Sequence, residues 1–357
     1  MSTPLLENIL HQAEAVRIVA EHQLGEGRGG LLRTAKLLLS KKRILLSGMG
    51  ASYFACTPFC YRLLQRGLEV TAVETSELLY FPSSCLDENT AVLLVSRSGE
   101  SVEVTKVLPI LKQQKSAIAG LVNVRDSTLS LEANETVVMN SPADQLVAIQ
   151  TYAATCVVLA LLEAAMFDEL DGAQADLQKT AELMSHLIPA CVEESEQWLG
   201  FLEGSRPLYL LGRGPALGAV FEGVLLMHEV AKSPAVGMSA AQFRHGPVEV
   251  VDGDFRGIVI GTQEMTARLD AALAKDLGKM GGQARWIGPV AEGAKLIPLF
   301  SWPNSVPARF VPLIEALPLQ MAAYRKAEIR GVTPGDFRWA PLITTSEAGF
   351  AIPGKQQ

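Results

Sequence analysis

The sequence repeats itself once, and this repeat constrains the possible fold more than any other feature. The stretch KRILLSGMGASYFACTPFCYRLLQR matches RPLYLLGRGPALGAVFEGVLLMHEV, which places Gly212 and Gly214 opposite Gly48 and Gly50. The later pairs keep the same order: VETSELLY with VGMSAAQF, VLLVSRSGE with GIVIGTQEM, AIAGLVNV with ARWIGPV, and a helical stretch at 146–167 with one at 310–330. Five elements at a constant offset of about 165 residues indicate an internal duplication.

Each copy alternates short apolar strands with helices, which is typical of a parallel α/β sheet covered on both faces. In the first copy we predict strands at Arg43–Ser47 and Ala91–Val95 and helices at Tyr53–Arg66 and Leu146–Phe167. The predicted organisation is an N-terminal helical segment (1–34), a first α/β domain (35–170), a linking helix (171–205), a second α/β domain (206–332) and a C-terminal tail (333–357).

Composition and charge narrow the class of protein. Hydrophobic residues make up 48% and charged residues 19%, which fits a compact globular chain. The net charge of −7 and the lack of a Lys/Arg cluster argue against a nucleic-acid partner. The longest apolar run, Ala153–Leu162, is too short to span a bilayer, and the N-terminus does not resemble a signal peptide. We expect a cytoplasmic protein that does not bind membranes.

The cysteines give no sign of a metal or a disulfide framework. There are five, an odd number, and most lie in apolar segments, as expected of buried thiols in a reducing compartment. Cys56 and Cys60 are four residues apart, but no His/Cys pair with zinc-site spacing accompanies them. We therefore predict neither a metal site nor a cofactor.

The loop Ser96-Arg97-Ser98-Gly99-Glu100-Ser101 lies between a predicted strand and a predicted helix. It can be interpreted as a helix cap or as an anion site, because a helix N-terminus offers free amides and a partial positive charge. The second copy has Gly261-Thr262-Gln263-Glu264-Met265-Thr266 instead. A purely structural cap could serve either copy, so this asymmetry favours a ligand role for the first.

A second loop, Gly48-Met49-Gly50-Ala51-Ser52, follows the neighbouring strand. Parallel sheets bind ligands at the carboxyl ends of their strands, which strengthens the phosphate interpretation for the pair of loops. A dinucleotide site is the minor alternative, since the third glycine of that fingerprint is missing and Glu74 is the nearest candidate for a ribose-binding acid.

Five motifs together resemble the double sugar-isomerase (SIS) domain family: LLSGMGASYFA, LLVSRSGESVEVTKVL, LVNVRDSTLSLEANETVVM, GRGPALGAVFEGVLLMHEV and FRHGPVEVV. That family includes the isomerase half of glutamine–fructose-6-phosphate aminotransferase and the fructosamine-6-phosphate deglycases. The resemblance runs from about residue 30 to about residue 345 and keeps the order and spacing of the motifs.

The resemblance implies two flavodoxin-like three-layer αβα domains, a homodimer and a sugar 6-phosphate as ligand. The implied phosphate-binding residues are Ser96, Arg97, Ser98 and Ser101, and the implied sugar-binding residues are Gly50, Ala51, Ser52 and Val147. Ile149 stands where the family usually has a hydroxyl residue. The apolar helices 146–167 and 310–330 independently favour a dimer, because they carry more apolar face than one sheet requires.

Glu229 lies in an otherwise apolar helix, and His245 lies in an FRHGP turn. On the residues alone, Glu229 could face solvent and His245 could be a turn histidine bonded to backbone. The resemblance makes them the acid/base pair, which moves a proton between C1 and C2 of an open-chain sugar or its imine. In the family, the histidine often comes from the partner subunit.

Two departures from the synthase pattern narrow the expected reaction. Leu342 and Leu226 stand where the synthases carry lysines, and no glutaminase-type N-terminal cysteine is seen, since the chain begins Met1-Ser2-Thr3. We expect deglycase, deaminase or aldose–ketose isomerase chemistry rather than glutamine-dependent synthesis. The alternative is a non-catalytic sugar-phosphate sensor.

Overall fold

The computed structural model describes residues 3–81, 86–289, 296–303, 306–340 and 342–348. These residues form two compact units, which we describe separately. The first unit contains the described residues of Ala15–Cys56, Leu63–Gln174 and Asp336–Gln357, and the second contains those of Met1–Glu14, Thr57–Arg62 and Ala175–Gly335.

The helices are α1 Pro4–Leu10, α2 Gln12–Leu24, α3 Arg28–Leu39, α4 Ala51–Gln65, α5 Thr75–Tyr80, α6 Val102–Gln113, α7 Thr128–Glu132, α8 Gln150–Met166, α9 Leu170–Glu194, α10 Leu199–Leu202, α11 Leu217–Glu229, α12 Ala240–Phe243, α13 Ala267–Lys279 and α14 Val311–Ile329. The strands are β1 Arg43–Gly48, β2 Glu69–Glu74, β3 Thr90–Ser96, β4 Ala117–Val122, β5 Glu135–Val138, β6 Leu208–Gly212, β7 Ala235–Ser239, β8 Arg256–Ile260, β9 Gln283–Pro289 and β10 Pro298–Trp302. Short 3-10 turns occupy Ser195–Trp198, Gly214–Ala216 and Pro247–Val250.

The first unit is built on a parallel sheet with the strand order β2-β1-β3-β4-β5. Its central strand β3 is buried along its whole length, which explains why the sequence there is a continuous apolar run rather than an alternating one. Gly48 pairs with Val95, and Ser96 pairs with Val122, so the carboxyl ends of β1, β3 and β4 share one edge. The strand order reverses between β1 and β3, where sheets of this kind bind ligands.

The second unit repeats this arrangement, with the equivalent order β7-β6-β8-β9-β10. Aromatic side chains fill much of its core, where Phe255 packs against Tyr209 and Phe243 and lies in the same cluster as Trp286. The predicted fold class, two parallel sheets flanked by helices, is confirmed. The exact domain boundaries stay a prediction.

Two expectations about helices need adjustment. The helix predicted from about Leu146 begins at Gln150, since the residues before it form a loop held by other contacts described below. All residues of α8 are buried within this one chain, and most of α14 is buried too. Their apolar faces are therefore already covered, so the expected dimer rests on the resemblance and not on those faces.

No helix in the described ranges is long and apolar enough to cross a membrane.

Candidate functional site

The hydroxyl-rich loop leaves β3 at Ser96 and enters α6 at Val102, at the strand-order reversal of the first unit. Gly99 makes its tight turn possible, with a φ of +68° that favours glycine. A Cβ at Gly99 would lie 2.2 Å from Ser127 Oγ, so no larger residue fits there without moving the neighbouring loop. The glycine at this point therefore allows the loop to pack closely against Ser127.

The hydroxyl groups of this loop shape the turn and do not cap the helix. Ser96 Oγ accepts a hydrogen bond from the Gly99 amide at 3.0 Å, and Ser98 Oγ accepts one from the Glu100 amide at 3.2 Å. Ser101 is the N-cap residue of α6, yet its side chain makes no capping hydrogen bond. In Ser96 and Ser98 the oxygen is the acceptor, so each O–H remains able to donate to a ligand. The simple cap interpretation therefore does not account for these three hydroxyls.

Glu100 holds the loop from the side, a role that the sequence pattern did not reveal. Its carboxylate accepts hydrogen bonds from the Thr128 amide at 2.5 Å and from Thr128 Oγ1 at 2.9 Å. It therefore binds the start of α7 rather than closing a capping box on α6. No local signal could indicate this, because the partner lies 28 residues further along the chain.

Arg97 was predicted to bind phosphate, and its guanidinium lies among neutral backbone groups. Nη1 donates to the Leu146 carbonyl at 3.3 Å, and Nη2 donates to the Leu342 carbonyl at 3.4 Å. Neither acceptor carries a formal charge, so these two bonds orient the positive charge without neutralising it. The guanidinium has five N–H donors in total, which is more than these two hydrogen bonds use.

The predicted sugar contacts lie at the same sheet edge. Gly50 precedes α4, which begins at Ala51 and continues through Ser52, directly after β1. Val147 is only 3% exposed, so the protein's own atoms cover this residue in the structure. Ile149 is fully buried, which accounts for an apolar residue at a position where the family usually has a hydroxyl.

The C-terminal tail runs along the same loop. The Thr344 carbonyl accepts a hydrogen bond from the Val102 amide at 3.0 Å, at the first residue of α6. The Glu347 carboxylate accepts hydrogen bonds from Lys106 Nζ at 2.7 Å and from the Tyr80 hydroxyl. These two bonds hold the pKa of Glu347 below its usual range, with the Lys106 bond contributing most. Leu342, at the position of the synthase lysine, thus belongs to the surroundings of this loop.

Glu229 and His245, the predicted acid/base pair, both belong to the second unit. Glu229 is the half-buried last residue of α11, and its carbonyl accepts a hydrogen bond from Lys232 Nζ at 2.6 Å. His245 is exposed after α12, and its amide donates to the Gln242 carbonyl at 3.0 Å. The side chain of neighbouring His228 is engaged elsewhere, since its Nε2 accepts from the Ala235 amide at 3.3 Å.

Glu222 is a second carboxyl group on α11 that the sequence analysis did not single out. It lies seven residues before Glu229, a spacing that puts both on one face of the helix. It is 1% exposed, and its Oε2 has no hydrogen-bond partner among the described residues. Burial, and to a smaller extent the charge of Glu229, raise the pKa of Glu222 well above its usual value. An acid inside the apolar stretch FEGVLLMHE was the available signal.

The equivalent sheet edge of the second unit is closed by that unit's own side chains. Arg213 Nε donates to Asp270 Oδ1 at 2.7 Å, and Thr266 Oγ1 donates to Asp270 Oδ2 at 2.9 Å. The Thr262 hydroxyl donates to the buried carboxyl group of Glu315 on α14. An incoming anion would meet these two acids at this edge; that only the first copy keeps an anion-binding loop stays a prediction.

The part of the chain that the structure describes contains no cluster of three or more His, Cys, Asp or Glu side chains that could hold a metal ion. Cys56, Cys60, Cys156 and Cys191 are buried free thiols. Cys85 lies outside the described residues.

Comparison with known proteins finds a family match in the first half of the chain. Residues 37–165 match the family model of the SIS domain. Over these residues, the chain is similar to SIS domains. The candidate anion loop and the segment around Val147 both lie within this matched stretch.

The relatives that match most of the chain include several glutamine–fructose-6-phosphate aminotransferases. The glutamine–fructose-6-phosphate aminotransferase of Pyrococcus horikoshii is 25% identical over 336 residues, which is 92% of this chain and 55% of that protein. The chain thus spans about half the length of the curated relatives it matches.

Two solved structures share the fold. The tagatose-6-phosphate ketose/aldose isomerase of Escherichia coli has a TM-score of 0.77 at 23% identity, with 94% of this chain and 95% of that chain covered. A glucosamine-6-phosphate deaminase of Thermotoga maritima has a TM-score of 0.72 at 20% identity, with 93% and 97% covered. At these identities, the likeness is one of fold.

Proposed function

We propose that this protein is an enzyme of the phosphosugar isomerase type that acts on a 6-phosphorylated keto- or aminosugar. The phosphate binds at the Ser96–Ser101 loop, and Glu229 and His245 carry out the proton transfers. The observation that carries the proposal is the state of the loop hydroxyls. Ser96 and Ser98 accept from loop amides and so keep their protons for a ligand, while Ser101 starts α6 without capping it.

Electrostatics support a phosphate at this loop in an acidic protein. A helix N-terminus and oriented hydroxyls neutralise an anion without a basic cluster. Arg97 adds a positive charge that its two carbonyl acceptors leave intact. The names of the relatives point to the same ligand class, because they include a fructose-6-phosphate aminotransferase and a tagatose-6-phosphate isomerase.

The reaction proposed is a proton shift without a Schiff-base lysine. Glu229 works as base and then as acid between C1 and C2 of the open-chain sugar, and His245 protonates the ring oxygen or a leaving amine. Leu226 and Leu342 supply no amine for an imine with the sugar. Deglycase, deaminase and aldose–ketose isomerase activities are the reactions that this set of side chains can support.

A panel of sugar phosphates tests the proposal, first for binding and then for turnover. The panel contains fructose 6-phosphate, glucosamine 6-phosphate and a fructosamine 6-phosphate. We expect Ser98→Ala combined with Ser101→Ala to weaken binding of the best ligand by about 1–3 kcal/mol, since hydrogen bonds to a charged group are lost.

The second unit offers a matched control for this variant. Gln263→Ala combined with Thr266→Ala changes the equivalent loop positions, and this pair should leave affinity unaltered. Equal affinity of the serine variant and the parent would show that the hydroxyls only shape the loop. Binding of a sugar phosphate with no turnover of any panel member would favour the sensor alternative over the enzyme.

We also propose that the protein acts as a homodimer in the cytoplasm, as the family resemblance implies. Light scattering at micromolar concentration should give about twice the chain mass of 38.4 kDa. A stable particle of single-chain mass would contradict the dimer. The absence of a nucleic-acid partner stays a prediction from the acidic charge.

A further inference from the structure

We propose that Asp144 is a positioning residue that holds the segment Leu146–Ile149 beside the phosphate loop, and that it thereby sets affinity for the sugar rather than for the phosphate. This inference rests on the proposed function. The sequence analysis attached no role to Asp144.

The Asp144 carboxylate accepts four hydrogen bonds from the start of α8. Oδ2 accepts from the Ile149 amide at 3.1 Å, the Thr151 amide at 2.9 Å and Thr151 Oγ1 at 2.6 Å. Oδ1 accepts from the Gln150 amide at 2.9 Å. Hydrogen bonds to an ionised acceptor are stronger than those between neutral groups.

This is not an ordinary helix cap. An N-cap residue directly precedes its helix and bonds to amides two or three positions ahead. Asp144 instead reaches amides five to seven residues ahead, while the N-cap residue Ile149 has no capping side chain. The carboxylate therefore closes a loop, and the four residues between Asp144 and Ile149 are held in one conformation.

Other bonds fasten the same loop to the ligand-binding edge of the sheet. Asn123, directly after β4, donates to the Ser141 carbonyl at 3.1 Å and accepts from the Ser141 amide at 2.8 Å. The backbone amide of Asn123 donates to the Arg97 carbonyl at 2.9 Å, and Arg97 Nη1 donates to the Leu146 carbonyl. The loop from Ser141 to Ile149 is thus anchored at Ser141 by Asn123, at Leu146 by Arg97 and at Ile149 by Asp144.

These contacts make the N-termini of α6 and α8 differ in their attraction for an anion. The Asp144 carboxylate already accepts hydrogen bonds from the amides at the start of α8, so its negative charge disfavours a second anion at this terminus. At the start of α6, the N-cap residue Ser101 makes no side-chain capping hydrogen bond, and the Val102 amide donates to the uncharged Thr344 carbonyl. A phosphate is therefore directed to α6, and the segment Leu146–Ile149, in which Leu146 and Ala148 are partly exposed, remains as a neutral wall for the sugar.

The test compares binding of inorganic phosphate with binding of a sugar phosphate from the panel, by calorimetry. Inorganic phosphate probes the α6 loop alone, whereas the sugar phosphate also uses the anchored segment. We expect Asp144→Ala to weaken sugar-phosphate binding by about 10- to 100-fold, the effect of losing one or two charge-assisted hydrogen bonds. Inorganic phosphate affinity should change by less than about twofold.

Two further variants keep the test decisive. Asp144→Asn retains the shape and one oxygen acceptor, so it should fold even if the alanine variant does not, and its loss of sugar-phosphate affinity should be intermediate. Asp87→Ala is the matched control, because Asp87 accepts hydrogen bonds from Asn89 and Thr90 at the opposite end of β3. It should leave the affinity ratio of the two ligands unaltered.

A parallel loss of both ligands in the Asp144 variants would overturn the positioning role and make the residue a general support of the fold. Unchanged affinity of the Asp144 variants for both ligands would overturn it as well, while the proposed function would stand. Failure of the parent protein to bind any sugar phosphate would instead overturn the proposed function itself.

Discussion

Glu315 lends itself to a quantitative prediction, because its carboxyl group is buried and its pKa is displaced by a known cause. The residue lies on α14 and is 1% exposed. Burial raises the pKa of Glu315 to about 7 from 4.5, and it outweighs the opposing effects of the Thr262 hydrogen bond and the charge of Arg62. Glu315→Gln keeps the side-chain shape and an oxygen that can accept the Thr262 hydrogen bond, but it removes the titration.

The sign follows from proton binding. Between pH 4.5 and pH 7, the folded protein holds a proton on Glu315 that the unfolded chain has released. The free energy of unfolding contributed by this group is therefore lost as the pH rises through that window. At about 1.4 kcal/mol for each pKa unit, the full change is roughly 3 kcal/mol. The glutamine variant has no such dependence.

Urea unfolding at pH 5 and at pH 8 measures this difference. The buried Trp286 and Trp302 report on the second unit by fluorescence. Relative to the parent, the variant should gain roughly 2–3 kcal/mol of stability between the two pH values. Other groups with displaced pKa values, such as Glu222, are present in both proteins, so their contributions largely cancel in the comparison.

A control variant and a clear negative result complete the test. Glu264→Gln removes an exposed acid close to Thr262 in sequence, and it should not reproduce the pH-dependent gain. If the unfolding free energies of the Glu315 variant and the parent stay a constant distance apart across this pH range, Glu315 is ionised in the folded protein and the reasoning from burial is wrong.

Three further changes have defined outcomes. Glu229→Gln should lower turnover of the substrate found in the panel by about 100- to 10,000-fold at unchanged affinity, and full activity would remove its proton-transfer role. Gly99→Ala should destabilise the protein by at least about 2 kcal/mol in chemical denaturation, because a left-handed backbone is strained and the new Cβ would overlap Ser127; an unchanged midpoint would contradict this. Lys106→Met should release the tail by removing one of the two hydrogen bonds to Glu347, seen as faster proteolysis after residue 335 without loss of inorganic phosphate binding; an unaltered cleavage rate would mean that the other tail contacts suffice.

The sequence by itself determined the two α/β units and the place of the hydroxyl-rich candidate loop. Continuous apolar runs such as Ala91–Val95 predict buried parallel strands, and strands of that kind bring their carboxyl ends to one edge. The hydroxyl residues Ser96, Ser98 and Ser101 follow directly from one such strand, so their position needs no knowledge of distant contacts. The loss of this loop in the second copy was also visible from the alignment of the two halves.

Only the tertiary structure decided what surrounds and supports that loop. Glu100 binds Thr128 rather than α6, and the Val102 amide meets Thr344, 242 residues further along the chain. Local propensity carries no information on such pairs, because they depend on which loops the packed sheet and helices bring to the same edge. For the same reason, the sequence predicted α8 from Leu146, whereas the reach of Asp144 across the loop delays the helix to Gln150.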